Sequence, residues 1–253
     1  MSPAGGASSG ASSAGSTFAL RARIESKRFP AVGNAPPKHV VQDVTLDVPE
    51  NGFVALFGPS GCGKTTILNL LAGLDTDFDG EIDRRAEDRI AYVFQEPRLL
   101  PWLTVEDNLK LVLEDGIDAA PLIDRWLDEM GLADVRNVFA NRLSLGMARR
   151  VALARAFIIH PRVLLMDEPF VSLDEPTAIR LHHLLLDTLA SHPAAVVFVT
   201  HSLREAITLA DRIVFLSKAP TSLRRIADVP LSPNERRDEK AIERLRTQLI
   251  KTG

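Results

Sequence analysis

The chain has 253 residues, 45% of them hydrophobic and 25% charged, enough apolar material for one large domain or two small ones, which excludes general disorder. Lysine and arginine total 30 against 33 acidic residues, a formal charge of -3 that excludes a protein-wide basic field for nucleic acid. Cys62 is the single cysteine, so no disulfide forms within the chain, and a reducing compartment suits the composition.

Residues 1–17, MSPAGGASSGASSAGST, have almost nothing to bury, so the expectation is a flexible leader without the apolar region of a signal peptide. No apolar run in the sequence approaches the roughly 20 residues that a membrane helix needs. From Phe18 the pattern changes: FALRARI, HVVQDVTLDV and GFVALF (52–57) read as strands. Further strand-like runs recur at 90–94, 162–167, 194–200 and 212–217. Helical spacing marks 64–74, 105–113, 121–131, 147–159, 176–191 and 203–210. Strands alternating with helices predict an α/β fold on a mostly parallel sheet. The stretch 96–159 contains helices and no convincing strand, so a helical lobe is expected between two strands of that sheet. In the C-terminal extension, about 218–253, ERRDEKAIERLRTQLIK places Ile242, Leu245 and Leu249 on one face, which predicts a docked amphipathic helix. No internal repeat is visible.

Gly58-Pro59-Ser60-Gly61-Cys62-Gly63-Lys64-Thr65 fits G-x-x-x-x-G-K-[ST], directly after a strand and before a helical pattern, the context that motif requires. Glycines let the backbone turn so that amides point inward, and the helix that begins near Lys64 and continues through Thr66 adds its positive end. Such a cradle suits a triphosphate. Lys64 would bridge its β- and γ-phosphates, and Thr65 would ligate the Mg²⁺ that neutralises them. Cys62 reads as a small residue tolerated in the loop; the alternative is a thiol whose modification blocks the site.

The run RVLLMDE is an apolar strand ending in two acids, which places them at the carboxyl edge of the sheet, where ligands bind in open α/β folds. Asp167 is suited to orient Mg²⁺. Glu168 diverges from it by one residue and would polarise an attacking water.

Beyond these two motifs the chain resembles the ATP-binding subunits of ABC transporters, from about Phe18 to Asp211. The resemblance rests on Gln95 in VFQEPRLLPW, a signature-like LSLGM at 143–147, SLD at 172–174 and His201 in FVTHS, all in the family order. Their spacing leaves no room for the long coiled coils of chromosome-maintenance relatives. The resemblance implies a RecA-like P-loop NTPase core with an N-terminal antiparallel β subdomain and an inserted helical subdomain. It also implies a head-to-tail pair of subunits, each ATP gripped by one P-loop and the opposite signature. By the same resemblance, Ser144 and the Gly146 amide would hold the γ-phosphate in trans. Gln95 would ligate Mg²⁺ and report to the permease, and His201 would bond the γ-phosphate. Asp174 would couple the two sites, and Phe29 would stack on adenine.

One residue departs from the pattern: Leu145 stands where the signature has its first glycine. Its side chain either points away from the phosphate or crowds the closed pair, and slower hydrolysis is the expected result. The segment Arg98-Leu99-Leu100-Pro101-Trp102-Leu103 is expected to dock a permease, the alternative being that Trp102 packs inside the helical lobe. QEPRLLPWLTVEDNL, LSxGM and the ending DRIVFLSKAP…RRIADVPL are most similar to the ATPase subunits of importers for nitrate, sulfonates and taurine. That implies a peripheral subunit on the cytoplasmic face of the membrane, served indirectly by an extracytoplasmic solute-binding protein. An exporter ATPase and a weakly catalytic ATP-binding scaffold are the alternatives.

Overall fold

The computed structural model describes residues 18–31, 33 and 36–251; the expected leader lies outside them. Two sheets form. The first pairs β1 (Phe18–Phe29) with β2 (Lys38–Pro49) and β4 (Asp79–Asp83), antiparallel, in the order β2-β1-β4. The second runs β5 (Ile90–Val93), β6 (Val163–Asp167), β7 (Ala195–Thr200), β3 (Phe53–Phe57), β8 (Arg212–Leu216) and β9 (Leu223–Asp228). It is parallel except for β9, which returns antiparallel beside β8.

The central strands are apolar on both faces because both faces are covered. Along β6, Val163 and Leu165 face one core while Leu164 and Met166 face the other, and β3 and β7 alternate likewise. The first core packs the antiparallel sheet and α1 (Lys64–Ala72) against the central sheet. The second gathers the remaining helices. Between β5 and β6 lie α2 (Val105–Lys110), α3 (Ala119–Glu129) and α4 (Leu145–Phe157), with two short 3-10 turns, so the expected helical lobe is present. Its centre is Trp126, fully buried and stacked on Phe157 at 5.7 Å.

After β6 come α5 (Glu175–Ser191) and, after β7, α6 (Leu203–Leu209). The C-terminal α7 (Glu239–Lys251) docks as its pattern predicts, with Ile242, Leu245 and Leu249 in the second core. Two strands escape the sequence reading, β4 and β9. Both lie at sheet edges and carry charged residues on exposed faces. A boundary also moves: α4 begins at Leu145, two residues before the expected start, because Ser144 caps it by accepting from the Met147 amide at 3.3 Å.

Candidate functional site

Strand register brings three loops together. Phe57 pairs with Thr200 and Asp167 pairs with Val199, so Gly58, Glu168 and His201 leave the sheet side by side at its carboxyl edge. The loop from Gly58 wraps into α1, and Gly63 sits at the helix N-cap with φ 117°. A Cβ there would lie 2.8 Å from Val40 Cγ1 and 3.0 Å from Thr221 Oγ1, so only glycine fits. The loop is braced from behind, where the Thr221 hydroxyl donates to the Cys62 carbonyl. Cys62 itself is buried, a packing residue of the loop rather than a presented thiol.

Among the described residues no acceptor takes the amides of Gly61, Gly63, Lys64, Thr65 or Thr66, while Ser60, Gly61 and Thr65 are exposed. A row of unpaired donors around one lysine at a helix N-terminus fits a polyphosphate. Lys64 is buried, its ammonium donating to the Gly58 carbonyl at 2.9 Å and the Pro59 carbonyl at 3.0 Å. The same ammonium lies 3.5 Å from Glu168 Oε1.

Glu168 is the hinge of the arrangement. Its backbone is left-handed, φ 42°, a conformation that costs a non-glycine residue roughly 1–2 kcal/mol, and its amide donates to the Val199 carbonyl at 3.0 Å. Its second carboxylate oxygen meets His201 Nδ1 at 2.8 Å. The carboxylate therefore joins Lys64 to His201. His201 is set by the turn into α6: Ser202 caps that helix, the Ser202 amide donates to Thr200 Oγ1 at 2.9 Å, and the Thr200 hydroxyl donates to Glu205 at 2.6 Å. Burial pushes the Glu205 carboxyl up.

Asp167 is buried, and burial raises its carboxyl although a hydrogen bond from Thr65 opposes the shift. Thr65, Gln95 and Asp167 line one cavity of about 520 Å³, so the three oxygen-bearing side chains assigned to metal share a space. Hydroxyl, amide and carboxylate oxygens suit a hard divalent cation.

Ser144 and Gly146 lie elsewhere. They line a separate cavity of about 480 Å³ with Arg150, Thr177 and Arg180, and share none with Lys64 or Thr65. Leu145 is 40% exposed on the first turn of α4. Asp174 caps α5, accepting from the Thr177 amide at 3.1 Å. Phe29, at the end of β1, is partly exposed with the Lys27 ammonium 4.8 Å over its ring, and lines neither cavity. The indole of Trp102 does not pack inside the lobe: the residue is 67% exposed, and Phe139, bridged to Thr104, is 44% exposed nearby.

The sequence reading missed Arg149. It is buried on α4 and donates to the carbonyls of Phe94, Gln95 and Val171, tying the helix to the segment after β5 and to the turn after β6. Arg155 donates to the carbonyls of Pro97 and Arg98, and Arg150 to those of Met130 and Gly131. No spacing rule distinguishes these three arginines from solvated ones.

Residues 41–171 match the family described as ABC transporter. The chain belongs to the ABC transporter family. It is an ATPase cassette of that family and binds ATP. Over 232 residues it is 40% identical to an aliphatic sulfonates import ATP-binding protein, SsuB 1, of Pseudomonas savastanoi pv. phaseolicola, covering 91% of this chain and 94% of that one. A second such protein, SsuB 2 of Burkholderia lata, is 40% identical over 245 residues, covering 94% and 87%. Among solved structures, a dimeric ATP-binding cassette in a post-hydrolysis state with ADP and Pi superposes with TM-score 0.72 at 28% identity, covering 84% of this chain and all of that one. The mostly parallel α/β core and the P-loop NTPase fold agree with the resemblance.

Proposed function

We propose that this cassette hydrolyses ATP to drive solute import through a separate permease, with small aliphatic sulfonates as the solute class. The observation that carries the catalytic half is the Glu168 carboxylate held between Lys64 and His201 at the mouth of the phosphate loop. Glu168 accepts a proton from water aligned with the γ-phosphate, and His201 holds both that carboxylate and the phosphate. Lys64 exchanges its loop carbonyls for phosphate oxygens, and the unpaired amides from Gly61 to Thr66, with Pro59 and Ser60 at the rim, receive the rest. Thr65, Gln95 and Asp167 would hold Mg²⁺, which neutralises phosphate charge when bound. Phe29 offers an aromatic face for adenine.

Ser144 and Gly146 line a cavity that neither Lys64 nor Thr65 lines, and in a head-to-tail pair they serve the phosphates of a second subunit. Asp174 lies at the junction. The exposed Trp102 and Phe139 are the face offered to the permease, and no helix among the described residues is long and apolar enough to cross a membrane. The kinship to import ATP-binding proteins supports a subunit at the cytoplasmic face of the membrane, with an extracytoplasmic binding protein delivering solute. The kinship to sulfonate import proteins supports the solute class.

The test is Glu168→Gln in the assembled transporter. Turnover falls about 10²-fold or more while MgATP still binds, and Lys64→Ala loses that binding. Undiminished turnover in Glu168→Gln sinks the catalytic assignment; absent sulfonate uptake by the parent complex sinks the solute class.

A further inference from the structure

The C-terminal helix does more than close the core. Between α7, β9 and the start of α6 lies a cavity of about 930 Å³, which Gly58, Pro59, His201 and Ser202 border on one side. Lys64 and Thr65 do not line it. Its walls carry four arginines, Arg204, Arg224, Arg225 and Arg246, and no carboxylate, in a chain whose net charge is -3.

The arginines are arranged, not merely abundant. The Arg225 guanidinium lies 4.0 Å over the Phe215 ring and donates to the Leu249 carbonyl at 2.6 Å, which fixes it as part of the wall. Arg204 pairs with Glu239 and Glu175, and Arg246 with Glu243, acids that do not line the cavity. Arg224 is exposed and has no carboxylate within ion-pair distance among the described residues. The rest of the lining is apolar: Phe57, Leu203, Phe215 and Leu249, with Ile250 58% exposed at the rim. Surplus positive charge beside a hydrocarbon wall selects a ligand with an acidic head and an alkyl body.

We propose that this cavity binds a small aliphatic organic anion, acid group toward Arg224 and Arg246 and alkyl chain toward Phe215 and Ile250, and that its occupancy alters hydrolysis. The route is short. A ligand resting on Ser202 and Leu203 bears on the turn that carries His201 into contact with Glu168. The choice of a sulfonate as probe rests on the import reading above; the cavity and its chemistry do not.

Titration calorimetry of the full chain with hexanesulfonate, inorganic sulfate and hexanol tests this. Hexanesulfonate binds, sulfate and hexanol bind about tenfold more weakly or not at all, and Arg224→Gln with Arg246→Gln weakens hexanesulfonate about tenfold. In the same preparations hexanesulfonate changes the ATPase rate of the parent about twofold or more, and not that of the double variant, whose basal rate is retained. Arg224→Gln alone, at an exposed position, serves if the double variant melts early. No binding to the parent, equal binding of sulfate, or binding indifferent to the arginines overturns the site. Binding without a change in rate overturns the regulatory step. Sulfonate uptake by the complex is scored separately: uptake without this binding removes only the cavity, and binding without uptake removes only the import reading.

Discussion

Replacing Arg149 with methionine keeps most of the buried volume and removes every hydrogen bond the guanidinium makes. The bonds to Phe94 and Val171 span 3.4 and 3.2 Å, and the third acceptor is the Gln95 carbonyl. A bond from a charged donor contributes roughly 1.5–3 kcal/mol, and a buried carbonyl left unpaired costs about 1–3 kcal/mol. Against this, burial already lowers the guanidinium's basicity, so discarding the charge returns part of the cost of desolvating it. Water reaches the exposed Gln95 and satisfies its carbonyl. The balance for Arg149→Met is a loss of about 2–4 kcal/mol, a fall in Tm of roughly 4–16 °C for a chain of this size. The functional expectation is separate. With the tether gone, the Gln95 segment no longer follows α4, so at a temperature where the variant is folded, kcat in the assembled transporter falls about tenfold with little change in KM for ATP. Differential scanning calorimetry and steady-state ATPase assays read both. A Tm within about 1 °C of the parent refutes the buried tether, and a lowered Tm with unchanged kcat refutes its bearing on Gln95.

Two other outcomes are expected. His182 is buried with its ring edge-on to Phe170 at 4.5 Å, its Nε2 has no partner, and burial pulls its pKa down to about 4. The unfolded chain takes that proton near 6.5 and the folded chain near 4, so stability is full above pH 6.5 and declines as pH falls to 4, by about 3 kcal/mol. Guanidinium unfolding at pH 7.5 and pH 4.5 should show His182→Leu losing about 2.5 kcal/mol less than the parent; parallel losses would contradict it. Leu145→Gly should raise turnover of the assembled transporter about two- to tenfold if, as proposed above, the start of α4 approaches the phosphates of a second subunit; equal turnover counts against crowding.

The parts of the site that the sequence displays are those whose chemistry is local. The phosphate loop is eight consecutive residues after a run that is buried on both faces, and Asp167 and Glu168 end another such run, so pattern and chemistry coincide. β4 and β9 are invisible for the opposite reason. DGEID is almost wholly exposed and is a strand because β1 supplies its partners, and LRRIAD alternates only partly exposed with exposed residues. The link from Glu168 to His201 follows from register between β6 and β7, which no single run encodes. Arg149 is hidden among neighbours of the same type, and tertiary packing alone decides which arginine is buried.

All three arginines of α4 grip peptide oxygens, not acids. Such acceptors neither take up protons in mild acid nor gather counterions, so brine and vinegar leave these moorings alone while they loosen the ion pairs on the surface. The backbone segments lashed to α4 therefore keep their hold on it whatever the ionic weather of the cell.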